Sequence, residues 1–135
     1  MRILAALVFF GLLAFSATGA SAAEKPPFAG AWRIVAIHDA PAFDAAKTEF
    51  RVGEDGHVGS TIGCNRVVGS PKLDGSKIAF GAMAATMMAC PPPLDTVERA
   101  YLSALDGVRT FQTEGDTLSF LGADGAALLK LERKK

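Results

Sequence analysis

Apolar and polar positions alternate with period two over most of the chain, a rhythm that predicts short strands divided by glycine turns. Trp32 to His38 (WRIVAIH) is rich in β-branched and aromatic residues and reads as the first strand. Asp39 to Ala46, with Pro41 inside, interrupts it. Thr48 to Val52 and His57 to Ile62 flank Gly53-Glu54-Asp55-Gly56, whose Asp-Gly pair between alternating runs signals a hairpin. Strand character resumes from Asn65 to Gly69. Pro71 to Ser76 contains a second Asp-Gly turn at Asp74-Gly75, and Lys77 to Phe80 leaves it as another strand. Val108 to Thr113, Thr117 to Leu121 and Ala127 to Glu132 are the last strands, split by Glu114-Gly115-Asp116 and by Gly122-Ala123-Asp124-Gly125. A turn every roughly ten residues is the spacing of an all-β meander.

One segment keeps a different period. From Asp95, apolar residues fall at Val97, Ala100, Tyr101, Ala104, Leu105 and Val108, three or four apart, which makes one buried stripe on a helix. Asp95 and Glu98 have capping-box spacing, Pro91-Pro92-Pro93 bars helix upstream, and Gly107 is placed to end it. The stripe needs a partner, and the apolar faces of the strands are the one available, so the helix is expected to lie across the sheet as a lid. The fold class is therefore α+β, mostly β: an antiparallel sheet with one helix packed across it.

The first residues carry a different pattern. Arg2 precedes an unbroken apolar run from Ile3 to Phe15, and Ala20-Ser21-Ala22 has the small-x-small form of a cleavage site. The run is shorter than the roughly 20 residues a membrane span needs. A signal peptide over residues 1–22, a single domain over residues 23–135 and a periplasmic or secreted location are the expectations, without a stable membrane anchor. Charge adds an exclusion. Lys plus Arg number 14 against 14 Asp plus Glu, and a balanced chain has no electrostatic drive toward nucleic acid. The basic cluster Lys130, Arg133, Lys134 and Lys135 is interrupted by Glu132 and reads as a solvated terminus.

Cys64 and Cys90 are the only cysteines. Two thiols in one small exported domain are a candidate disulfide. Two buried free thiols, or a copper site drawing on Cys64, Cys90, Met83, Met87 and Met88, are the alternatives; soft sulfur donors suit Cu(I), but a bridge would consume both thiolates. Adjacent Met87 and Met88 would point to opposite faces of an extended segment, and methionines near apolar sequence ordinarily fill a core. Asn65, directly after Gly63-Cys64, is suited to left-handed backbone and to bonding neighbouring backbone groups, so it is expected to steady a bend beside the bridge, with Thr86 in a related part. His38 and His57 have no metal-motif spacing, and Asp39, Glu49, Glu54 and Asp55 are the candidate acids, at positions where turns favour acids in any case. No nucleophile elbow or phosphate loop is present. The expectation is no catalytic set, no metal and no cofactor.

Gly63-Cys64-Asn65-Arg66, then Thr86-Met87-Met88-Ala89-Cys90-Pro91, then the helix with Glu98 and the closing Gly115, Leu118 and Phe120, resemble the META/HslJ family of small bacterial envelope and secreted domains. The resemblance implies a sheet curved toward a barrel, a structural part for Gly63, Asn65, Arg66, Thr86, Met87 and Met88, and a non-enzymatic role in heat or antibiotic stress exercised through a binding surface. The expected partner is an envelope protein and the expected state a monomer. Carriage of a small apolar ligand inside the curved sheet is the alternative function, followed by a hydrolase with a cryptic site.

Overall fold

The structure is a computed structural model that describes residues 11, 14 and 25–135; apart from residues 11 and 14, the signal peptide expected over residues 1–22, with its cleavage point, lies outside the described residues. Ten strands form one antiparallel sheet: β1 (Gly30–Ile37), β2 (Glu49–Val52), β3 (Val58–Thr61), β4 (Arg66–Gly69), β5 (Lys72–Asp74), β6 (Lys77–Ala79), β7 (Ala84–Ala85), β8 (Thr110–Glu114), β9 (Thr117–Leu121) and β10 (Ala127–Arg133). Their order across the sheet is β5-β6-β8-β9-β10-β1-β2-β3-β4-β7, which curls into a half-barrel with β5 and β7 at its free edges. Among the described residues, a single α-helix, α1 (Leu94–Gly107), follows the proline run, and a short 3-10 turn at Ala45–Lys47 precedes β2.

Period-two alternation places the core. Trp32 and Ile34 on β1, Phe50 and Val52 on β2, Val58 and Ser60 on β3, Leu118 and Phe120 on β9, and Leu129 and Leu131 on β10 all face inward and are buried. The registers Trp32 opposite Phe50 and Ile34 opposite Leu131 put these side chains in cross-strand contact. A bulge between Ile34 and Ala36 resets the phase of β1, so Ile37 turns inward where strict alternation would place Ala36. The concave space is filled by Phe28, Phe50, Phe80, Phe111 and Phe120, several of them edge to face, with Phe28 and Phe111 ring centres 4.8 Å apart and Phe80 and Phe120 5.2 Å apart.

The helix covers this core through Val97, Tyr101, Ala104 and Leu105, the stripe its spacing predicts. Tyr101 reaches to the sheet: its hydroxyl donates to Ser60 Oγ at 2.6 Å, and Ser60 in turn donates to the Val67 carbonyl. Burial pushes the Tyr101 phenol well above its ordinary pKa, although the Ser60 bond works against the rise, so the residue stays neutral and acts as a fixed donor.

Two short strands go beyond the pattern and one local expectation is corrected. The turn at Asp74-Gly75 forms, and Lys72–Asp74 ahead of it pairs with β6 as edge strand β5. The short strand β7 pairs with β4 ahead of the methionine pair, where apolar pattern is too short to announce a strand. The capping box does not form: α1 opens at Leu94, Pro93 occupies the cap position without a side-chain bond, and Asp95 bonds only the neighbouring Thr96. Glu98 is used elsewhere.

Candidate functional site

The site is the end of the sheet where the segments 62–65 and 86–93 meet the start of α1. Gly63 opens it with φ 114°, a left-handed conformation that strains any residue carrying a Cβ. That turn aims Cys64 at Cys90, and the two form a disulfide, with Cα atoms 6.1 Å apart. The free-thiol and copper alternatives both need thiols that this bond consumes. Among the described residues, no three His, Cys, Asp or Glu side chains stand together as a metal site.

Asn65 is the hub. It is 3% exposed, and its side-chain amide is fully used. Oδ1 accepts from the Met88 N–H at 2.8 Å and from Thr86 Oγ1 at 3.0 Å. Nδ2 donates to Glu98 Oε2 at 2.7 Å and to the Met88 carbonyl at 3.1 Å, and lies 3.3 Å from Cys90 Sγ. Glu98 Oε1 accepts from the Asn65 backbone N–H at 3.2 Å. The side chain thus pairs with both backbone groups of Met88 as a neighbouring strand would. Left-handed geometry belongs to Gly63 rather than Asn65, and the amide bonds segments distant in sequence rather than its own neighbours.

Thr86 continues the pairing outward. The Arg66 N–H donates to Thr86 Oγ1, and the Thr86 N–H donates to the Arg66 carbonyl, both at 3.0 Å. Arg66 itself projects into solvent on the outer face of β4. Glu98 Oε2 stands 3.7 Å from Cys90 Sγ, so the carboxyl, the amide and the bridge meet at one point. Glu98 is the residue that sequence reasoning misassigned, because its spacing from Asp95 imitates a local cap.

With the loop so anchored, Met87 and Met88 do not fill the core: they are 92% and 60% exposed. A cleft of about 440 Å³ is lined by Ala42, Phe43, Asp44 and Lys47 together with Ile62, Gly63, Pro93 and Leu94. The histidines lie apart from it. His38 Nε2 is 3.2 Å from Asp39 Oδ2, and His57 Nδ1 is 3.1 Å from Ser70 Oγ, both at exposed positions. On the outer face of the sheet, the Arg51 guanidinium beside Glu49 holds that carboxyl below its ordinary pKa.

The model of the META domain family matches residues 26–135. The chain belongs to the META domain family. Among solved structures, it is similar to an NMR structure of a protein from Burkholderia xenovorans, at 26% identity and TM-score 0.63, covering 78% of this chain and 82% of that one. A second NMR structure matches at 19% identity and TM-score 0.54, over 76% of this chain and 87% of that one. A crystal structure of a DUF4847 family protein from Bacteroides vulgatus ATCC 8482 shares the fold at 13% identity and TM-score 0.57, over 79% and 94%. A comparison with curated proteins found no match. The bridge, the Asn65 hub and the two exposed methionines all fall inside the matched META region.

The corrected cap makes a quantitative contrast. Asp95→Ala should lower stability by only about 0.3–1 kcal/mol, the value of an acid in the first helical turn. Glu98→Ala should lower it by about 1–3 kcal/mol, because it strips the acceptor from the Asn65 N–H and from one amide hydrogen of a buried side chain. Equal losses in urea denaturation of the two variants, or a larger loss for Asp95→Ala, would return Glu98 to a capping role.

Proposed function

We propose that this META domain protein is a non-enzymatic, exported domain of the bacterial envelope that docks another envelope protein through the Met87–Met88 loop. One observation carries the reading: two methionines stand in solvent on a loop whose backbone is fixed by the disulfide and by Asn65. A loop whose backbone is already fixed loses little backbone entropy on docking, and the flexible methionine side chains adapt their shape to a partner. Carriage of a small apolar ligand inside the half-barrel has less support, since five phenylalanines occupy that space. A setting in envelope stress follows from the family resemblance, and export from Arg2, the apolar run and Ala20-Ser21-Ala22.

The test is capture from envelope extract by the exported protein and by a Met87→Ser/Met88→Ser variant, with bound proteins and lipids identified by mass spectrometry. The expected result is an envelope protein retained by the wild type and reduced about tenfold in the variant, at unchanged melting temperature. The same capture by both, or capture of lipid alone, would refute docking through this loop. N-terminal sequencing of the exported protein should return Ala23; Met1, or recovery only with membranes, would refute export by cleavage.

A further inference from the structure

Bridge formation removes both thiols from oxidation chemistry, leaving the thioethers of Met83, Met87 and Met88 as the reactive sulfurs among the described residues. Their surroundings differ sharply. Met83 packs partly buried against the core, and its Sδ occupies the space directly over Gly69 where a side chain at that position would collide. Met87 and Met88 are 92% and 60% exposed. The bonds that hold their loop run through the Met88 backbone, Asn65, Thr86 and the Cys64–Cys90 bridge, and none runs through a thioether.

We propose that Met87 and Met88 form a site of selective, reversible oxidation to methionine sulfoxide, which turns the loop from apolar to polar while the fold stays intact. The co-reactant is hydrogen peroxide. A thioether lone pair attacks one peroxide oxygen, the S–O bond forms as the O–O bond breaks, and the other oxygen leaves as water after proton transfer. Sulfur is oxidised by two electrons and peroxide is reduced by two. In reversal, a dithiol of a methionine sulfoxide reductase removes the oxygen as water and is itself oxidised to a disulfide. Access sets the selectivity: the exposed sulfurs meet peroxide freely, whereas Met83 has the sheet on one side of its sulfur. Tolerance follows from the bonding, since a polar oxygen on an exposed thioether displaces no contact that anchors the loop. The effect on a docked partner rests on the function proposed above; the oxidation itself does not.

Peptide mass mapping of the purified exported protein during peroxide treatment tests the site. Met87 and Met88 should each gain one oxygen at rates close to those of an unstructured Met-Met peptide, with Met83 at least about tenfold slower. The melting temperature should stay within a few degrees, and methionine sulfoxide reductases should return both residues to thioethers. Equal rates at all three methionines, a collapse of the melting transition on oxidation, or sulfoxides that the reductases cannot reach would each overturn the proposal. The protein should release its captured partner on peroxide treatment and capture it again after reductase treatment. Selective oxidation without release would overturn the docking reading and leave the modification site standing.

Discussion

Leu105→Ala is expected to lower the unfolding free energy by about 2–5 kcal/mol, the range for a core leucine truncated to alanine. Leu105 is buried on the stripe that seats α1 on the sheet, beside Val97, Tyr101 and Ala104. Its neighbours are strands held by pairings on both sides and cannot collapse into the space left behind. The helix also holds Glu98, so its seating and the geometry around Asn65 are mechanically linked. Equilibrium denaturation decides the matter, and a loss below about half a kcal/mol would mean that α1 is loosely attached rather than a lid.

Opening the Cys64–Cys90 bridge is expected to cost about 3.5 kcal/mol, the chain-entropy value for cysteines separated by 26 residues. In a domain of this size that corresponds to a fall in melting temperature on the order of 10 °C. The bridge and Asn65 fasten the same loop by independent means, so a Cys64→Ser/Cys90→Ser variant should remain folded and keep its amide hydrogen bonds to Met88. Non-reducing peptide mapping of the protein from an oxidising compartment should recover one cross-linked fragment. Full labelling of both thiols in untreated folded protein, or an unchanged melting temperature after reduction, would contradict the assignment.

Legibility in the sequence tracked the range of the interaction. The stripe of α1 was readable because 3.6-residue periodicity is written in consecutive residues, and its four buried members were all named by spacing. The hairpin at Gly53 to Gly56 was readable for the same reason, since turn chemistry is local. The capping box failed although its spacing was correct: a carboxylate at Glu98 gains more from two donors on a buried asparagine than from a solvated helix end. Core filling by Met87 and Met88 failed because sequence shows that a residue is apolar but not whether any core remains open to it. The cysteine pairing was legible only because two cysteines admit a single intramolecular bridge.

By itself, the sequence determined a mostly β domain with one helix, the stripe by which that helix packs, and the one bridge its two cysteines could form. These rest on local periodicity, turn residues and count. Only the tertiary structure decided that Asn65 joins Met88 and Glu98 across separations of 23 and 33 residues. It alone decided that the half-barrel is filled by phenylalanines and that the two methionines face water. Those outcomes depend on which distant segments the curl of the sheet brings together, and no pattern within a short stretch of chain encodes that encounter.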